Sequence, residues 1–421
     1  MATIFPFRAW RFSEKAGDPA TLMCPPYDII SDEQRRAYLQ RNEHNIIRLE
    51  LPREGENPYA EAGNTVRHWC NDGTLVRDDA PALYVYDLVF EVNGEQKNIT
   101  GLLATVQLAP FSEGVVLPHE WTLSKAKTDR LNLMKATGFN FSDIYSLYQG
   151  NTKAYLDAAM QGEPLTDLVD EDGLRHRLWA ITDPETIAAV QATFTDTKLY
   201  IADGHHRYET ALNYKQYRLD AGLPVGGADR VMMMLVEMSH PGLVVFPTHR
   251  LLRDLPDFDA DALLSACEAD FDVERDLSLA YAQKKLSLAY ENGKKAFVCY
   301  TGGDTATLLT LQNDALMDKL LPHESPVSRQ LDVNVLHNAI LERLLNIDKE
   351  NMAQQINLTY TRDVDEAVEG VQSGAFQCAF LLNPTRVYEI QGVAAAGEKM
   401  PQKSTYFYPK LITGLTLNQL D

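Results

Sequence analysis

Residues 199–212 read LYIADGHHRYETAL. The first positions form an apolar run that ends on an acid, Asp203. Gly204 follows, and glycine lets a chain turn at positive φ without steric cost. From His205 the segment continues as HHRYETALNYKQYRL, which has the composition of a helix. The stretch therefore predicts strand, tight turn and helix, with two histidines and an arginine on the first helical turn. A strand feeding a helix through a polar turn is a unit of mixed α and β structure, and the rest of the chain is read from it.

The same stretch is the strongest candidate for chemistry. A helix N-terminus carries outward N–H groups and partial positive charge, so it suits phosphate. Gly204 lets the backbone approach closely, and Arg207 offers a planar fork for phosphate oxygens. His205 and His206 can donate hydrogen bonds or share charge with an anion. Asp203, at the strand end, can take a proton from a hydroxyl or hold Mg²⁺. The structural alternative is that Asp203 caps the helix and the histidines pack. The compact polar set favours function. It is not a G-x-x-x-x-G-K-[ST] loop, which is absent from the chain. Adjacent helical residues point about 100° apart, so a tight metal site on both histidines is not expected.

Working outward, ALYVYDLVFEVNG and KNITGLLATVQL are two β-rich runs joined by NGEQ, a hairpin signal. SDEQRRAYLQRN follows CPPYDII as a helix with Ser31 as N-cap. NPYAEAGNTVRHWCNDG reads as a helix closed at Gly73, and Asp183-Pro184 opens another. DRVMMMLVEM and LVVFPTHRLL read as buried strands. DADALLSACEADFDVERDL reads as helix, and KKAFVCYTGG with TATLLTLQ as a second hairpin. Hairpins beside strand–helix units predict an α+β fold with mixed sheets. Two domains are expected: residues 1–250, α+β and carrying the phosphate-binding turn, and 251–421, α/β and placed to close over the site.

Bulk properties exclude several classes. The net charge is 39 − 59 = −20, which repels a nucleic-acid backbone but not a small anion held by focused cations. No run of 18 apolar residues occurs, and the start MATIFPFRAW lacks a signal-peptide core. Five scattered cysteines form no C-x-x-C pair. The expected setting is cytoplasmic, with neither membrane nor nucleic acid as partner.

Other polar clusters supply further candidates. PHEWTLSKAKTDR brings His119, Glu120, Lys125, Lys127 and Arg130, which can neutralise a polyphosphate, with Glu120 or His119 as base. His119-Glu120 lacks the second histidine of the zincin spacing. CPPYDIISDE fixes Tyr27 and Asp28 in a proline-stiffened turn before Glu33. FPTHRLL presents His249 and Arg250, and MPQKSTYFYPK presents Lys403 as an anion-binding cation. Tyr27, Asp28, Glu209, His249 and Arg250 are taken as substrate-side candidates.

PFRAW, CPPYDII, NIIRLELP, HEWTLSKAKTDR, ADGHHRYETA, PTHR and MPQKSTYFYPK occur in this order between residues 6 and 410. Together they resemble the bacterial and archaeal family catalogued as domain of unknown function 1015. ADGHHR is also similar to the glycine-x-x-arginine turn of the ParB/sulfiredoxin-like superfamily, which includes free-serine kinases. That resemblance implies a ParB/sulfiredoxin-like core and a nucleotide-phosphate cradle made by Gly204, His205, His206 and Arg207. It implies Asp203 as the catalytic or metal-facing carboxylate, and an N-terminal glutamate as base, for which Glu33 and Glu120 are candidates. His205 replaces the sulfiredoxin cysteine, which removes thiol chemistry.

The expected activity is phosphoryl transfer between a nucleotide (ATP or ADP, with Mg²⁺) and a small hydroxyl compound such as serine, in either direction. Catalytic roles fall to Asp203, His206, Glu120 and His119. Gly204, His205, Arg207, Lys127, Arg130 and Lys403 bind phosphate. A metal-dependent phosphatase or hydrolase and a non-catalytic nucleotide sensor are the alternatives.

Overall fold

The computed structural model describes residues 1–122 and 124–420. The chain folds as a mixed α+β protein with two compact units. One comprises residues 1–118, 122–243 and 409–421, and the other residues 119–121 and 244–408.

The first unit is built on a nine-stranded sheet. Its strands run in the order Val116–Leu117, Leu199–Asp203, Ile144–Tyr148, Arg230–Glu237, Glu95–Gln107, Leu83–Val92, Arg175–Ile181 and Thr166–Val169, with Ile4–Phe5 also paired to Glu95–Gln107. The expected hairpin forms, and Val92 faces Glu95 across its end. Asn93 and Gly94 turn it at φ 54° and 77°, the double positive φ that a two-residue hairpin needs to match strand twist. Met232, Met233 and Met234 are fully buried. Ser31 caps the helix Asp32–Arg41 in a reciprocal capping box with Gln34.

Two larger cores hold this unit, beside a small cluster of Met134, Tyr214, Ala228 and Leu420. Leu83, Val85, Leu102, Ile144, Ile201, Tyr208 and Met233 pack in one, joining the sheet to the helix that follows Gly204. Ile47, Leu49, Val66, Trp69, Leu133 and Phe139 pack in the other, joining the helices Pro58–Asn71 and Ser124–Thr137. Asp203, Gly204 and Arg207 sit at the end of the strand Leu199–Asp203.

The second unit carries a six-stranded antiparallel sheet in the order Phe271–Ser278, Thr305–Leu311, Ala296–Tyr300, Cys378–Leu381, His249–Leu252 and Leu358–Thr361. Successive side chains serve opposite faces, as the two-residue period demands. Leu252, Phe297 and Phe380 join one core, while Leu251, Val298 and Ala379 join the other.

Two expectations are corrected. LVVFPTHRLL is two strands, Val244–Phe246 paired to Tyr406–Tyr408 and His249–Leu252 in the main sheet. Pro247 has no N–H to continue a ladder, so the chain changes sheet there. FDVERDLS is an edge strand, with only the helix Ala260–Cys267 before it. Its positions 272–278 alternate between half-buried and exposed, the pattern of a strand packed on one face.

Candidate active site

The site in the first unit starts with a break in register. Ile201 faces Ser146 but Asp203 faces Tyr145, a bulge that re-aims the strand end. Gly204 then takes φ 95° and ψ 26°, and the helix His205–Asp220 begins. A side chain at 204 is excluded twice. The backbone lies in the left-handed region, and a Cβ would sit 2.9 Å from Arg207 Nε.

Asp203 does not cap this helix, whose N-cap has no side-chain bond. Its two oxygens accept separately, one from Arg207 Nη2 and the other from Lys410 Nζ. Burial alone would raise this carboxyl. Lys410 and Arg207 outweigh that and hold it well below the usual carboxylate range. Arg207 Nη1 donates to the backbone carbonyl of Asp143. One guanidinium thus ties the strand end to the start of the neighbouring strand, Ile144–Tyr148. His205 is buried and His206 half-buried on the same turn.

A second arginine stands near. Arg130, in the helix Ser124–Thr137, lies 4.1 Å above the Tyr27 ring. It donates to the Glu50 carbonyl at 2.6 Å and forks onto Asp129 at 2.9 and 2.6 Å, while its Nη1 lies 3.7 Å from Glu50 Oε1. Tyr59 OH donates to the other oxygen of Asp129 at 2.8 Å. Glu50 closes the short helix Ile47–Glu50 and is only 2% exposed. Ile47 and Leu49 are fully buried beside it. Burial of each contributes about 1.5–3 kcal/mol, enough to carry an acid inward with them. Ser142 Oγ donates to Glu50 Oε1 at 3.1 Å. Burial raises the Glu50 carboxyl, and Arg130 and Arg207 only partly pull it back. Glu50, Arg130, Ser142, Arg207 and Thr210 line a cavity of about 40 Å³, room for a few water-sized groups.

Asp143 is a third buried acid. Its Oδ1 has no hydrogen-bond partner among the described residues, and burial pushes its carboxyl up to about 7 despite the nearby Arg207. On the outer side, Lys127 Nζ and Thr122 Oγ1 both donate to Glu209 Oε2, at 2.6 and 2.9 Å.

The expected residues therefore divide. Asp203, Gly204, His205, His206, Arg207, Glu209, Lys127, Arg130, Tyr27 and Asp28 belong to the first unit. Asp28 is exposed, and its charge acts on both Tyr27 and Arg207. Glu33 and Lys125 are exposed helix positions of this unit. His119, Glu120, His249, Arg250 and Lys403 belong to the second unit. There Thr405 Oγ1 bridges His119 Nε2 at 2.9 Å and Glu120 Oε1 at 3.1 Å. The buried His249 accepts from the Leu382 amide at 3.2 Å. Lys403 occupies a loop position at φ 55°.

Sequence reasoning missed Glu50, Asp143 and Lys410. The first two carried a signal, an acid set among residues that must be buried: Leu49 and Leu51 around Glu50, and Phe141 and Ile144 around Asp143. Among the described residues no group of three or more His, Cys, Asp or Glu side chains is arranged to hold a metal ion. Among the described residues no helix is long and apolar enough to cross a membrane.

The sequence matches the model of a family described as "Protein of unknown function (DUF1015)" over residues 4–334, and the chain belongs to that family. No curated protein matches it. Among solved structures it is similar to a conserved hypothetical protein from Pyrococcus furiosus, at 14% identity and a TM-score of 0.35, over 76% of this chain and 95% of that one. It is also similar to a free serine kinase in complex with AMP, at 12% identity and a TM-score of 0.38, over 76% and 91% of the two chains. SbnI from Staphylococcus aureus, truncated at its C-terminus, matches at 11% identity and a TM-score of 0.36, over 75% and 87%. Likenesses this distant leave the chemistry to be read from the residues themselves.

Proposed function

We propose that this chain binds a nucleotide through its phosphates at the Gly204–Arg207 turn and transfers a phosphoryl group between that nucleotide and a small hydroxyl compound such as serine. The observation that carries the reading is the convergence of Arg207, Lys410 and Arg130 with a buried, raised glutamate, Glu50, at one strand end. Phosphoryl transfer asks a protein mainly for positioning and charge neutralisation, and this set offers both.

The roles differ from the sequence expectation: Glu50 and Lys410 enter, and His119, Glu120 and His206 take no catalytic part. Asp203 is ionised and has both oxygens engaged, so it is a poor base; it fixes Arg207 and Lys410 in place. Glu50 is the better proton acceptor, because burial already favours its protonated form. In the forward direction the acceptor hydroxyl loses its proton to Glu50, its oxygen forms the new bond to phosphorus, and the nucleotide leaves one phosphate shorter. Arg207, Lys410 and the helix N-terminus hold the phosphates, and Arg130 spreads the developing charge.

The three cations are balanced by Asp203, Glu50 and Asp129. The donor set therefore suits Mg²⁺ carried in by the nucleotide, since that ion needs only one or two carboxylates beside phosphate oxygens. Asp28 is the exposed carboxylate whose charge reaches Arg207. Bound Mg²⁺ would supply positive charge to the transferring phosphoryl group.

Phosphorus NMR with Mg²⁺, ATP or ADP, serine and phosphoserine tests this. Exchange of phosphate between nucleotide and serine is expected. Glu50→Gln should keep nucleotide binding but lose about 10²–10⁴ in rate, and Arg207→Ala should lose binding. Stabilisation by nucleotide without turnover would make the protein a sensor. Phosphate released from phosphoserine without nucleotide would make it a phosphatase.

A further inference from the structure

The second unit holds a cavity of about 610 Å³ that the proposed chemistry does not use. That volume lies within the range of small-molecule sites, roughly 300–1,000 Å³. One wall is a π-helical turn, Leu336–Glu342. Such turns are rare in α-helices and occur frequently at functional sites. His337, on this turn, is 3% exposed and lines the cavity.

The tautomer of His337 follows from its neighbour. Arg250 Nε donates to His337 Nε2 at 3.2 Å. A guanidinium only donates, so Nε2 accepts and the proton of the neutral ring sits on Nδ1. Burial, and then the Arg250 charge, keep the ring neutral. Behind it Arg250 is 1% exposed. It donates to the Thr248 carbonyl, but no carboxylate lies within ion-pair distance among the described residues, and its Nη2 has no hydrogen-bond partner. The inner wall is thus a donor backed by a buried positive charge.

Three acids share the wall, and the charge of Glu120 also reaches Arg250. Glu398 is tied to Ser325 through its N–H and hydroxyl, Glu324 accepts from Ser328, and Glu342 is exposed. Lys349 and Lys399 add cations, the latter 4.5 Å over the Trp121 ring. Tyr360, Met352 and Trp121 supply apolar surface.

We infer that this cavity is a ligand site for a small organic anion with a flat apolar body. The anionic head accepts the Nδ1–H of His337, Arg250 lends its charge through that ring, and the body lies against Tyr360 and Met352. The inference is independent of the phosphoryl-transfer reading.

The test uses the full chain and two fluorescent probes with the same rings, 1-anilinonaphthalene-8-sulfonate and its uncharged parent N-phenyl-1-naphthylamine. The sulfonate should bind saturably at one site, and the neutral amine about tenfold or more weaker. Ala353→Trp fills the cavity from an exposed wall position, and it should weaken sulfonate binding about tenfold or more with an unchanged Tm. Arg250→Met should bring the sulfonate down to the level of the amine. Equal binding of both probes, sulfonate binding unaffected by Ala353→Trp, or no saturable binding would each overturn the inference.

Discussion

Arg207 and Arg250 stand in different units and meet the cost of a buried cation in opposite ways. Arg207 is 11% exposed at its side chain and is paired with Asp203, which Lys410 shares. Arg250 is 1% exposed and has a carbonyl and an imidazole, but no carboxylate within ion-pair distance among the described residues. Burial pulls the Arg250 guanidinium down to about 10, whereas at Arg207 Asp203 and its acidic neighbours outweigh burial and raise it. A paired, partly open arginine is stable at rest. An unpaired, closed one is a standing cost that a ligand or the local fold must offset.

The largest expected effect tests that contrast directly. Arg207→Ala leaves Asp203 short of one partner in a largely buried site and should cost about 3–5 kcal/mol in urea unfolding. Arg250→Met removes a charge with no carboxylate within ion-pair distance among the described residues, and should cost less, about 1–3 kcal/mol for the carbonyl and imidazole left without a donor. Equal losses from the two variants would break the comparison.

Asp143 sharpens it through pH. Its folded carboxyl lies at about 7, above the ordinary value near 3.9. The folded state therefore favours the protonated acid. That contribution is complete below about pH 4 and is lost as pH rises through about 7, at about 1.4 kcal/mol for each unit that separates the two values. Stability of the wild type should fall between pH 4 and 7 relative to Asp143→Asn, as read from urea midpoints across that range. Parallel pH profiles would show that Arg207 already keeps Asp143 ionised in the folded state.

The smallest effect is a control for exposed pairs. Lys153 and Asp157 meet at 2.6 Å on one helix face with side chains 74% and 48% exposed. Lys153→Ala should change stability by about 0.5 kcal/mol or less. A larger change would mean that surface pairing, not burial, sets the scale on which Arg207 and Arg250 differ.

Much of the fold was legible because it rests on local signals. Asn93-Gly94 can hardly avoid a hairpin turn, Ser31 with Gln34 marks a helix start, and the Met232–Met234 run can only be core. FDVERDLS was misread because its charged residues mask a half-buried alternation that becomes a strand only when Thr305–Leu311 pairs with it. Pro247 was visible, yet its effect was not: it breaks one apolar run into strands of two different sheets.

The site divides along the same line. Strand, turn and helix at 199–212, and the need for glycine at 204, follow from residues adjacent in sequence, so the sequence by itself determined them. Which charges meet there was decided by tertiary structure. Lys410 reaches Asp203 across 207 positions of chain, and Glu50 comes to Arg130 across 80. The physical reason is that ionic pairing and desolvation depend on distance in space and on what excludes water. A sequence records neither for residues brought together only by the packing of Ile47, Leu49 and Leu133. The same holds for Arg250 and His337, 87 residues apart, whose shared hydrogen bond sets a tautomer that neither residue fixes alone.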